Sequence, residues 1–164
     1  MLARNQPSKL AELRLMIATK SAHAALAVAA VVATGAVGTE TALAVLERVD
    51  AMDQLAVAMK EVQGLINSKD GLVAIQTEAE GMRKIGESLP DLFPDGSGTG
   101  KTNAKPEIWE RWAEFNLKAR NLAEAAEALG QRAAAMDSPG VSEQYRALDR
   151  VCTDCHDAFR RPKH

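Results

Sequence analysis

The chain has 164 residues and a formal net charge of −2, with 46% hydrophobic, 26% charged and only 4% aromatic residues. That length suits one domain with a single substantial core, and the lack of a basic excess excludes an electrostatic footprint for nucleic acid. Apolar content carried by alanine and aliphatic side chains argues for packed helices over a sandwich or barrel, and against disorder. Two cysteines, Cys152 and Cys155, cannot frame a disulfide-rich fold.

Residues 1–23 carry Arg4, Lys9, Arg14 and Lys20 against one acid, Glu12. An apolar run of about 14 residues starts at Ala24 and fades through Thr34, Gly35, Ala36, Val37 and Gly38. A basic start, a short apolar stretch and a small-residue end predict a secretory signal peptide over residues 1–38. The run falls short of the roughly 20 residues a bilayer span needs. Cleavage can follow Gly38 (Ala36-x-Gly38) or Ala44 (Ala42-x-Ala44), and Gly38 is preferred because it leaves helix ahead of Arg48. An uncleaved anchor or an ordinary alanine-rich helix is the other reading. Export implies a periplasmic location and leaves residues 39–164 as a more acidic mature chain.

Four helices follow from hydrophobic spacing. The first, about 41–67, places Val45, Val49, Met52, Leu55, Met59, Val62 and Ile66 three and four residues apart. The second, about 69–89, carries Leu72, Ile75, Ala79, Met82, Ile85 and Leu89. Pro90, Pro94, the run Asp95-Gly96-Ser97-Gly98-Thr99-Gly100 and Pro106 then punctuate a long loop. The third helix, about 106–136, sets Ile108, Trp112, Phe115, Ala119, Leu122, Ala126, Leu129, Ala133 and Met136 on one stripe, and Ser138-Pro139-Gly140 is expected to stop it. The fourth, about 141–161, carries Val141, Tyr145, Leu148, Cys152, Cys155 and Phe159. Four amphipathic helices with short links make an all-α, antiparallel up-down-up-down four-helix bundle.

The chemistry lies in Cys152-Thr153-Asp154-Cys155-His156. Cys-x-x-Cys-His is the attachment signature of c-type haem. On a helix these three side chains share one face, so two thiols can form thioethers to a porphyrin while the imidazole reaches iron. A thioredoxin-like dithiol would need a βαβ context and a helix N-terminus. Zinc would need a fourth ligand, for which His164 is the remaining soft side chain. A plain disulfide would need no adjacent histidine. One covalent haem c through Cys152 and Cys155, with His156 as proximal iron ligand, is the reading these residues favour.

A haem motif closing a four-helix bundle resembles the class II c-type cytochromes, the cytochrome c-prime family. Arg48-Val49-Asp50-Ala51-Met52 followed by Ala58-Met59-Lys60 looks like that family's first-helix Arg-x-x-x-Met signature. Leu89-Pro90-Asp91-Leu92-Phe93-Pro94 with Gly96-Ser97, then Ala104-Lys105-Pro106-Glu107-Ile108-Trp109, is similar to the loop of its low-spin members. Cys152-x-x-Cys155-His156-x-x-Phe159-Arg160 resembles its close. Val49 stands where the family usually has Gln, and Phe159 where Tyr is common.

Spacing locates the haem. His156 lies about 22 Å along the fourth helix at 1.5 Å per residue, near its far end. Up-down-up-down order puts that end beside the start of helix one, the end of helix two and the start of helix three. Met52, Ile85, Leu89, Trp109 and Trp112 fall at this level, with Met59 about 10 Å deeper. Met52 is therefore the candidate sixth iron ligand, and Arg48, one turn earlier, the candidate partner of a haem propionate. The resemblance of the loop to that family implies Trp109 as a further haem neighbour.

Two functions follow, divided by the sixth iron position. Ligation by Met52 implies a periplasmic carrier of single electrons. An open site implies a five-coordinate cytochrome c-prime-like protein binding NO or CO. No distal His, Arg pair or carboxylate suggests acid–base catalysis, so no enzyme activity and no catalytic residues are expected. Periplasmic redox proteins are the expected partners, with the chain a monomer or homodimer.

Overall fold

A computed structural model describes residues 38–66, 68 and 71–162. The chain divides into two units, Met1–Glu40 and Thr41–His164, and only residues 38–40 of the first are described. Most of the expected signal segment therefore lies outside the described residues, as do Asn67, Lys69 and His164.

Helix α1 covers residues 38–65 and α2 spans Gly71–Ser88, running into a 3-10 turn at Leu89–Leu92. A short α3, Glu107–Glu110, precedes the long α4, Trp112–Ala134, and α5 spans Ser138–Phe159. Neighbour contacts fix their directions. A Cβ at Gly86 would sit 2.8 Å from the Ala123 backbone nitrogen, and one at Gly130 would sit 3.4 Å from Ala79, so α2 and α4 run antiparallel. Phe115 meets Phe159 at the start of α4 and end of α5, while Gln144 donates to the Ala125 carbonyl further along, so that pair is antiparallel as well. Leu55, Ala58 and Val62 of α1 share one core cluster with Leu72 and Ile75 of α2. The result is the expected antiparallel four-helix bundle.

The core is one cluster in which Leu55, Val62, Ile75, Met82, Phe115, Leu129 and Leu148 pack with a large set of alanines. Its composition moves the stripe on α1. The innermost positions are Ala44, Arg48, Ala51, Leu55, Ala58 and Val62, one residue out of phase with most of the expected set. Met52 and Met59 stand half-buried on the flank, and Val49 is 53% exposed. Small alanines admit neighbouring helices closely, so they take the inner line although longer side chains lie beside them.

Two expectations about the third and fourth helices are corrected. The third helix is interrupted at Arg111, whose backbone leaves the helical region (φ −116, ψ 43). The break keeps Ile108 and Phe115 buried but turns Trp112 outward, to 39% exposure, where it stacks on Phe115. Ser138-Pro139-Gly140 does not stop α4; it opens α5. Asp137 is the N-cap, its Oδ1 accepting from the Gly140 N–H at 2.9 Å, and proline in the first turn sacrifices no helical bond. Helix α4 ends instead at Ala134, with Met136 in the left-handed region (φ 55) and the Asp137 N–H reaching back to the Arg132 carbonyl. Its side chain, expected on the inner stripe, is 63% exposed.

Gly86 and Gly81 share α2 but not surroundings. A Cβ at Gly86 runs into the α4 backbone, whereas one at Gly81 meets nothing within 4 Å. Gly86→Ala should therefore lose about 1–3 kcal/mol by overpacking, while Gly81→Ala should gain about 0.5–1 kcal/mol of helix propensity. Denaturant unfolding of the two variants checks the opposite signs.

Candidate functional site

The candidate site is built at the end of the bundle where α1 starts, α2 ends, α4 starts and α5 ends. Cys152, Cys155 and His156 occupy the last two turns of α5, and all three are half-buried. Both thiols are free, and Cys152 and Cys155 pack against the core, as do Met52, Ile85 and Trp109. Leu89 is 2% exposed, whereas Trp112, expected beside them, is 39% exposed.

Burial pushes both thiols up, Cys155 to about 11, so at neutral pH neither is a thiolate nucleophile. That is the opposite of what a thioredoxin-like dithiol requires. Among the described residues no group of three or more His, Cys, Asp or Glu side chains converges to hold a bare metal ion.

Arg48 is not a solvated surface arginine. It is 4% exposed. Its Nη1 donates to Ser97 Oγ at 3.1 Å, and its Nη2 donates to the Ser97 carbonyl at 2.7 Å and Thr102 Oγ1 at 2.8 Å. The guanidinium lies over the Phe93 ring, 4.9 Å from its centroid. Burial lowers its pKa from the ordinary arginine value. All these partners are neutral, and among the described residues no carboxylate stands within ion-pair distance of it. A buried cation without a counter-charge is costly, and an anionic group at this end of the bundle would offset that cost.

The loop packs as a lid of defined structure. Trp109 Nε1 donates to the Phe93 carbonyl at 3.0 Å, and Phe93 meets both Trp109 and Phe115. The close seat of the indole explains Gly98, since a Cβ there would lie 2.7 Å from the ring. The Lys105 N–H donates to the Phe159 carbonyl, and Lys105 Nζ donates to the carbonyls of Asp157 and Ala158, closing the end of α5. The loop resemblance includes Ser97 and Lys105 but gives them no role, and Thr102 is not singled out at all. Polar side chains of a Gly-rich loop give no periodic signal that would assign them one.

Comparison with known proteins agrees with this architecture. The family model of cytochrome c' matches residues 43–160, and the chain belongs to that family. The cytochrome c' of Pararhodospirillum photometricum is 42% identical over 83 residues, covering 50% of this chain and 66% of that protein. A cytochrome c-554 of Cereibacter sphaeroides is 28% identical over 146 residues, covering 73% of this chain and 95% of that protein. The structure of Rhodopseudomonas palustris cytochrome c' superposes with a TM-score of 0.67 at 28% identity, covering 74% of this chain and 98% of that one. The chain is a haem-binding c-type cytochrome of the four-helix-bundle class, and its cofactor is haem c. Two neutral thiols and an imidazole on one half-buried helical face, with an uncompensated cation at the same end, fit that group.

Proposed function

We propose that this protein is a periplasmic carrier of single electrons, with haem c joined through Cys152 and Cys155, His156 as proximal ligand and Met52 as sixth ligand. The observation that carries this reading is the buried Arg48, one helical turn from Met52, at the same end of the bundle as the Cys-x-x-Cys-His turn. Bound haem iron supplies a centre that takes up and returns one electron. Half-burial of Cys152 and Cys155 leaves them reachable while one side stays packed on the core. Met52 presents a thioether from α1, a soft donor that favours reduced iron and raises the potential. Arg48 keeps Nε–H and one Nη1–H beyond its three loop bonds, two donors suited to a propionate.

The second reading, a five-coordinate protein binding NO or CO, is favoured by one observation. Met52 stands on the flank of α1 and not on its innermost line. The innermost position beside it, Ala51, is too small to block an open iron face. The reading is of a carrier and not an enzyme: among the described residues, the roles proposed at this end are haem attachment, iron ligation and propionate pairing. Periplasmic redox proteins are its expected partners, and the exposed aliphatics Leu43, Leu46 and Val57 on α1 support pairing of two copies as a homodimer over the monomer.

Export with cleavage after Gly38 completes the reading. Cleavage after Ala44 would remove a core residue, since Ala44 is 6% exposed. Intact mass of protein matured in a haem-attaching host should equal residues 39–164 plus one haem, and acidified organic solvent should extract none of it. A chain that keeps residues 1–38, or releases its haem, contradicts the proposal.

Met52→Ala should turn low-spin iron into an open, high-spin site that binds CO faster and has a lower reduction potential. Stability should fall by about 2 kcal/mol, the low end for such truncations because the side chain is half-buried. Visible spectra, redox titration and denaturant unfolding of the holoprotein read the three effects.

A further inference from the structure

The loop does more than cover the end of the bundle. Residues 97–105 form a strap tied at both ends to the helices that carry the two proposed iron ligands. At one end Ser97 and Thr102 hold the Arg48 guanidinium of α1. Ser97 is itself 1% exposed, and its hydroxyl donates to the Pro94 carbonyl at 2.8 Å, which orients the oxygen facing Arg48. Thr102 Oγ1 also accepts from the Ala104 N–H at 3.1 Å. At the other end Lys105 bonds the carbonyls of Asp157, Ala158 and Phe159, immediately after His156. The Arg161 N–H adds a bond to the Asn103 carbonyl at 2.8 Å.

We infer that Ser97 and Thr102 are positioning residues: by gripping Arg48 they set the placement of the Arg48–Met52 turn of α1 against the α5 turn that carries His156. The physical case rests on burial and charge. Bonds from a guanidinium are stronger than neutral ones, and a buried guanidinium cannot exchange lost partners for water. Arg48 and Met52 are four residues apart on one helix, so a shift of the Arg48 turn moves Met52 with it. Ala44, Ala51 and Ala58, the small residues on the inner line of α1, present little side-chain relief to resist sliding or rotation. The strap supplies that resistance through polar bonds.

This inference rests on the ligand reading above, and its test separates the two. Holoprotein variants Thr102→Val and Ser97→Ala, with Thr102→Ser as the conservative control, are compared by amide hydrogen exchange and by the ferric spectrum. Thr102→Val should speed exchange in residues 48–52 by about tenfold, equivalent to about 1.4 kcal/mol, with α4 unchanged. It should also raise the high-spin fraction, and Thr102→Ser should stay near wild type in both. Unchanged exchange overturns the inference. Faster exchange with an unchanged low-spin spectrum also overturns it, because the grip then orders α1 without placing Met52. A wild-type protein that is already high spin rejects Met52 ligation alone. The strap is then judged by exchange together with the ferrous CO-binding rate, which the placement of residue 52 still governs: a several-fold change in Thr102→Val supports it, and no change overturns it.

Discussion

A buried arginine with no carboxylate partner among the described residues is the constraint around which this end of the molecule is arranged. Arg48 occupies an inner position of α1 that periodicity would give to an aliphatic side chain, and it lies 4% exposed against Phe93, Ser97 and Thr102. Neutral oxygens take three of its hydrogen bonds but do not balance its charge. The loop must fold back to supply those oxygens, and an anionic group belongs nearby to balance the cation. A haem propionate would meet that need, making the polar anchor of the loop and the proposed anchor of the cofactor the same side chain.

Around that anchor the bundle divides its work by residue size. Alanines and two glycines let α2 and α4 approach closely, as the Gly86–Ala123 and Ala79–Gly130 contacts show. Large side chains fill the middle, and aromatic residues collect at the site end, where Phe93, Trp109, Phe115 and Phe159 touch in series. Rigid packing would suit the proposed electron transfer, in which His156 and Met52 would have to hold station while iron changes charge. Met52, Cys152 and Cys155 stand partly buried at the margin of the core.

Much of this was legible from residue order. The bundle, its antiparallel order of helices and the helical Cys152, Cys155 and His156 turn all follow from helical spacing and one short motif. The misplacements have physical causes. Ranking by hydrophobicity put Val49 inward, whereas Ala51 and Ala58 won the inner line through size. A backbone break at Arg111 carries no periodic signature, so Trp112 was set on the wrong face. Ser138-Pro139-Gly140 suits a stop and a start alike, and the side chain that decides, Asp137, caps forward onto Gly140. The grip on Arg48 joins residues 49 and 54 positions apart, a long-range contact that no local pattern encodes.

The central claim is that α1 delivers a thioether to iron opposite His156. Visible spectra of the purified holoprotein, oxidised and reduced, with and without CO, test it most directly. The account predicts low-spin spectra in both states, a weak long-wavelength sulfur-to-iron band in the oxidised protein, and slow, weak CO binding in the reduced one. A high-spin protein that binds CO rapidly at neutral pH would contradict it and assign the site to gas binding.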